Sequence, residues 1–216
     1  AFNVAIDMEL LTTENPCKGI KRFKESGGRE RYLNPEEINR LTTALNKSKH
    51  KVAANLTLFL LSCGCRLGEA NTLEWQSIDF KSRLAYLSSK NVKNGKSRWI
   101  VLNEKAFSII EEMKEFRING NPWVFPGNSK KGHFTTPRNT FVNAKKEAGI
   151  HDLRLHDLRH TFASLAISGG ATLYTVQHLL GHSTSLMTQR YSHIANDALR
   201  QATEKVSAQI SKALQE

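Results

Sequence analysis

The chain has 216 residues, 39 % of them apolar and 8 % aromatic, and its 31 Lys and Arg against 20 Asp and Glu give a formal charge of +11. That apolar content comes in periodic blocks, which excludes a disordered basic tail, and no run nears the ~18 consecutive apolar residues of a membrane span. The positive excess points to a polyanionic partner, nucleic acid ahead of an anionic membrane surface.

The sequence opens without Met on Val4 to Leu11, which reads as the closing turns of a helix. No basic flank precedes its apolar residues and no small-residue cleavage site follows, so the pattern is not that of a signal peptide. Residues 1–16 are expected to be the tail of a truncated preceding domain, with Pro16 biasing Asn15 out of helical geometry. Residues 17–33 are polar and basic with a Gly27-Gly28 pair, a linker composition. Three cysteines (Cys17, Cys63, Cys65) cannot all pair, and their odd count points to a reducing compartment.

Asn34-Pro35-Glu36-Glu37 is a helix start, with Asn34 as N-cap, Pro35 at the first position and Glu37 completing a capping box. The helix is predicted to run to about Leu45, and the very apolar Val52–Ser62 to form a second, buried one. A break at Cys63-Gly64-Cys65 precedes a short helix over Arg66–Leu73. The period then changes to alternation at Arg83–Ser88 and Ser97–Leu102, which predicts a β-hairpin around the polar stretch Lys90–Lys96. Phe107, Ile110, Met113 and Phe116 give helical spacing over Ala106–Phe116, and Trp123–Phe125 reads as a further short strand. Helices are predicted over Pro137–Ala148, Asp157–Ser168 and Leu173–Leu180, the last ending on Gly181 as a left-handed cap. A final helix from about Asn196 aligns Leu199, Ala202, Val206, Ile210 and Leu214, a stripe suited equally to self-packing or to docking on a neighbour. The expected class is α+β, mostly helical with a small antiparallel sheet, and the main domain spans residues 34–216.

Four motifs hold the residues with chemical potential. They are Cys63-Gly64-Cys65-Arg66-Leu67-Gly68-Glu69, His156-Asp157-Leu158-Arg159, Leu180-Gly181-His182-Ser183 and Thr188-Gln189-Arg190-Tyr191-Ser192-His193. Singly, each has an ordinary structural account: a surface ion pair between Arg66 and Glu69, a solvated His-x-x-Arg helix face, a capped helix end, a packed tyrosine. His178 and His182 lack the glutamate and third ligand of a zinc protease, and Cys63-x-Cys65 has no second pair, so it reads as buried thiols rather than a metal site.

In order and spacing together, the four motifs resemble the catalytic domain of the tyrosine recombinases, the phage-integrase family. The likeness covers about Asn34 to Ala198, and Cys63 stands where the family more often has Ala or Thr. What it implies is a set of catalytic residues: Arg66, His156, Arg159, His182 and the nucleophile Tyr191, with Lys93 of Lys93-Asn94-Gly95-Lys96-Ser97-Arg98 on the hairpin. It implies a core-binding domain upstream, double-stranded DNA attachment sites as partners, and a homotetramer on DNA, through the C-terminal helix or without it. It implies no metal, cofactor or membrane, and a setting in the cytoplasm of a bacterial host. A type IB topoisomerase and a catalytically silent DNA-binding module are the competing functions. Lys90, Lys96, Arg98, Lys130, Lys131 and Arg138, with Lys145 and Lys146, are candidates for the DNA backbone or for solvated surface.

Overall fold

The most apolar stretch of the sequence becomes the axis of the fold. In a computed structural model, which describes residues 2–20, 31–88 and 97–213, helix α3 (Lys51–Cys63) buries almost every side chain from Ala53 to Cys63. A helix apolar all round must be enclosed on every side. Most of this enclosure comes from α2 (Pro35–Lys47), α5 (Glu104–Met113), α6 (Arg138–Glu147) and α7 (Asp157–Ser168). Its buried Thr57 donates locally to the Ala53 carbonyl at 2.8 Å, and Asn55 reaches Met113 Sδ of α5 at 3.6 Å. Phe59 at its centre meets Phe125 with ring centroids 5.3 Å apart.

The chain enters this bundle under restraint. Arg31 pairs with Glu37 at 2.5 Å and Asp152 at 3.1 Å. The hydrogen bond to Arg31 holds the Glu37 carboxyl below its ordinary pKa, against burial, and the same contact raises that of Arg31. Glu37 also closes the expected capping box, accepting from the Asn34 amide while its own amide donates to the Asn34 side chain. The Leu33 amide donates to Thr161 Oγ1 in α7 at 3.0 Å. Upstream, α1 (Phe2–Asp7) ends earlier than its sequence pattern suggests and buries no residue.

The period-2 segments form a three-stranded antiparallel sheet in the order β1 (Ile78–Asp79), β2 (Leu84–Leu87), β3 (Arg98–Val101). Ala85 pairs with Ile100 and Tyr86 with Trp99. Ala85, Leu87 and Ile100 face the core, while Tyr86, Trp99 and Val101 face out. β1 leaves no signal in the sequence, because two residues are too few to show alternation. Residues 89–96, with Lys90, Lys93 and Lys96, lie outside the described residues.

Two other expectations need correction. Trp123–Phe125 makes only an isolated bridge to Glu74. It is flanked by Pro122 and Pro126, which have no amide to donate, and the Trp123 amide is taken by the Asn121 side chain, so a ladder cannot propagate. The C-terminal helix, α10 (Ser192–Ala213), starts four residues before Asn196, and a short α9 (Leu186–Gln189) precedes it.

α7 joins two cores. Its Leu158 belongs to the large one around α3, whereas Ala163 and Ile167 pack with Val176 and Leu180 of α8 (Leu173–Leu180), with Tyr191 and with Ile194 in a smaller one. Among the described residues no helix is long and apolar enough to cross a membrane. Phe59→Ala, which empties the centre of the large core, should cost about 3–5 kcal/mol, read as a lower denaturation midpoint in urea with an unchanged slope.

Candidate active site

Three helix ends meet at one guanidinium. Arg159, in the first turn of α7, is 4 % exposed. Its Nη1 donates to the Gly64 carbonyl and its Nη2 to the Leu180 carbonyl, both at 2.7 Å. Both acceptors lie at helix C-termini, where unpaired carbonyls and the helix dipole favour a cation. Burial, with Arg66 and Arg98 nearby, lowers its pKa to about 10, so it stays charged at neutral pH. Two of its five donors are used, which leaves three.

The two carbonyls are presented by glycines. α3 ends at Gly64 with φ +62° and α8 at Gly181 with φ +64°, a left-handed conformation that other residues adopt only at a cost. Space demands glycine as well. A Cβ on Gly64 would lie 2.4 Å from Phe162 Cδ1, and one on Gly181 would lie 2.6 Å from Arg98 Cδ and Nε. At Gly181 the chain closes a Schellman turn, the His182 amide donating to Gln177 and the Gly181 amide to His178.

Below this junction, Glu69 is 1 % exposed and shared by two arginines. Arg66 Nη1 lies 3.0 Å from its Oε1, and Arg98 Nη2 lies 2.8 Å from its Oε2, which also accepts the Arg66 amide. Burial pushes the Glu69 carboxyl up, but Arg98 and Arg66 outweigh it and hold the group below the usual range. The Glu69–Arg66 pair is thus part of a buried network rather than a surface contact. Arg98, expected among the DNA-facing residues, turns inward and donates with its other nitrogen to the Leu179 carbonyl at 2.9 Å. Three guanidiniums around one carboxylate leave a positive surplus, as an anion site requires.

The remaining motif residues line the same region. His182 Nδ1 is 2.8 Å from Thr188 Oγ1, itself buried. Burial and then Arg159 and Arg66 hold His182 neutral, with a pKa of about 4. Tyr191, 5 % exposed, follows α9 and packs into the smaller core. Burial raises its phenol pKa, and Arg190 and Arg159 oppose that rise. Its Oη lies 2.5 Å from Nδ1 of His160, a residue the motifs did not single out. The signal was present, since His160 lies one helical turn after His156 and adjoins Arg159. His156 packs edge-on against His160 with ring centroids 5.2 Å apart, and burial followed by Arg159 lowers its pKa. With Cys65, Leu67 and Arg159 it lines a cleft of about 200 Å³.

Arg66, His156, Arg159, His182 and Tyr191 are therefore gathered in one region, while Lys93 lies outside the described residues. Lys130, Lys131 and Arg138 are exposed, and Arg138 lines a separate cleft of about 590 Å³ with Lys49 and Lys51. Cys63 and Cys65 are buried with their sulfurs 3.3 Å apart, and contact with Cys63 together with burial pushes the Cys65 thiol well up, so it is held as an unreactive thiol.

Residues 31–197 match the model of the phage integrase family. The integrase of Salmonella phage P22 is 30 % identical over 201 residues, covering 88 % of this chain and 50 % of that protein. The crystal structure of XerA recombinase superposes with a TM-score of 0.66 at 26 % identity, over 81 % of this chain and 64 % of that one. The catalytic domain of bacteriophage HP1 integrase does so with a TM-score of 0.59 at 25 % identity, over 80 % and 93 %. The chain spans about half the length of the first curated relatives it matches.

Two outcomes test this geometry. Gly181→Ala should lose about 1–2 kcal/mol from backbone strain alone and displace Arg98, visible as a lower melting temperature. His160 and His182 have folded pKa values of about 4 against an ordinary 6.5, so below 6.5 the unfolded chain binds more protons. Stability is then complete above pH 6.5 and falls as pH drops toward 4. Urea titrations across that range should show the fall, and His182→Asn should flatten it.

Proposed function

Because the chain belongs to the phage integrase family, we propose that it is the catalytic part of a site-specific recombinase that cuts and rejoins double-stranded DNA through Tyr191. The observation that carries this reading is the Arg159 fork. It ties the turn before Arg66 to the turn before His182, and the residue beside it touches the Tyr191 hydroxyl.

The chemistry follows from what these groups can do. Tyr191 Oη attacks the scissile phosphorus and forms a new P–O bond, while the bond to the 5′-oxygen breaks and leaves a 3′-phosphotyrosyl link. Negative charge grows on the non-bridging oxygens, where Arg66 and Arg159 supply charged donors. If Thr188 donates to His182 Nδ1, the neutral ring keeps its proton on Nε2 and offers it to the same oxygens. His156, kept neutral at pH 7 by burial and by Arg159, takes the phenol proton. Lys93 protonates the departing 5′-oxygen. In the reverse step a 5′-hydroxyl from a partner strand attacks the phosphotyrosine, restores the phosphodiester and releases Tyr191. No nucleotide is consumed, because the covalent link conserves the bond.

Exchange between two duplexes through a Holliday junction calls for four such subunits on DNA, inside the bacterial host cell. The exposure of Leu199, Val206 and Ile210 on α10, at 66 %, 53 % and 56 %, supports docking of that helix on an adjacent copy. The exposed Lys130, Lys131 and Arg138 are assigned to flanking backbone phosphates, as are Lys90 and Lys96.

A duplex carrying the element's attachment core, nicked beside the scissile phosphate, traps the covalent product. The wild-type protein should give a protein–DNA band on a denaturing gel and Tyr191→Phe none. Equal behaviour of the two would overturn the assignment. Arg159→Ala should slow covalent-complex formation by at least about 10²-fold while most DNA affinity remains, since one phosphate contact among many is lost.

A further inference from the structure

The ring that meets the Tyr191 hydroxyl has its tautomer fixed from its far side. Arg190 Nη1 lies 3.3 Å from His160 Nε2. A guanidinium can only donate, so Nε2 must accept and carries no proton. A doubly protonated ring would set two donors against each other. The single ring proton is then on Nδ1, 2.5 Å from Tyr191 Oη, and it donates to the phenol oxygen.

We propose that His160 positions and activates the nucleophile as an Nδ1–H donor to Tyr191 Oη, oriented by Arg190, stabilising the phenolate instead of accepting its proton. This rests on the reading of Tyr191 as the nucleophile. A donor to the ionised form favours ionisation, whereas an acceptor from the neutral phenol would oppose it. The contact therefore works against the burial that raises the Tyr191 pKa, in the same direction as Arg190 and Arg159. It also occupies one lone pair of Oη, so the phenol proton points away from His160 and is left for His156.

The charged and titratable groups around the pair agree with a neutral ring. Burial, then His156 at the N-cap of the same helix and Arg190 on the turn before Tyr191, lower the His160 pKa to about 4. Asp157 opposes this and Arg159 adds to it. His182, across from them on the turn after α8, is itself held neutral. At neutral pH none of the three histidines competes with the donor role by carrying charge.

The test begins on the DNA-free protein with ¹⁵N-labelled histidine. Nδ1 of His160 should resonate as protonated and Nε2 as unprotonated, and Arg190→Leu should shift the ring toward the opposite tautomer. With ¹³Cζ-labelled tyrosine, assigned through Tyr191→Phe, the Tyr191 titration should move up in His160→Phe. It should return in His160→Asn, whose amide can stand where Nδ1–H stands. On the nicked substrate, His160→Phe should form the covalent complex about tenfold more slowly below the Tyr191 pKa, as the loss of one charge-assisted hydrogen bond predicts. The deficit should shrink as pH rises, and His160→Asn should recover most of the rate. A protonated Nε2 in the wild type, or a Tyr191 titration that falls when the ring is removed, overturns the proposal. If His160→Phe does not fold, the wild-type tautomer decides. If the tautomer is as expected but wild type forms no covalent complex, the recombinase reading fails while the hydrogen bond stands.

Discussion

A charge buried to the depth of Arg159 cannot persist without partners, and the rest of the site is organised around meeting that requirement. Taking a guanidinium out of water costs several kcal/mol, which here is offset by two helix-terminal carbonyls and the nearby carboxylate of Glu69. The carbonyls are available only because Gly64 and Gly181 turn the chain into the left-handed region at the two helix ends. One side chain therefore fixes the distance between the turn leading to Arg66 and the turn leading to His182, two segments over a hundred residues apart in sequence. The need to satisfy a buried cation and the need to hold the proposed anion site in shape are met by the same bonds.

Arg98 has a comparable role in the neighbouring layer. It comes from the sheet, reaches Glu69 and the end of α8, and lies where any side chain on Gly181 would have to be. Arg98 thus links the sheet to Glu69 through a salt bridge and to α8 through the Leu179 carbonyl. β3 is fastened at its first residue, Arg98, to the same carboxylate that orients Arg66.

Much of this was legible in the sequence, and for identifiable reasons. The helices over Asp157–Ser168 and Leu173–Leu180 were placed to the residue, because Gly181 and the apolar spacing mark their limits. The capping box at Asn34 was equally plain, since its partners are three residues apart. The features that escaped depend on long-range partners. Nothing local says that Glu69 is shared with Arg98, or that Arg98 turns inward rather than toward solvent. His160 was passed over because the spacing of the motif points to His156, whereas the contact with Tyr191 depends on how α7 packs against the segment after α9. Two strands were misjudged for local reasons: one is too short to show a period, and prolines deny the other a ladder.

The division into two hydrophobic clusters bears on how the molecule fails. The large cluster encloses α3, whereas the small one has six buried members among the described residues, and Tyr191 is one of them. Proteins open in cooperative units, and units with few buried contacts open at lower free energy than the whole. The smaller unit is therefore expected to loosen first under heat or denaturant, taking Tyr191 with it while Arg66 and Glu69 stay beside the larger one. With the proposed nucleophile in the smaller unit, strand cutting is expected to be lost before the molecule loses its shape.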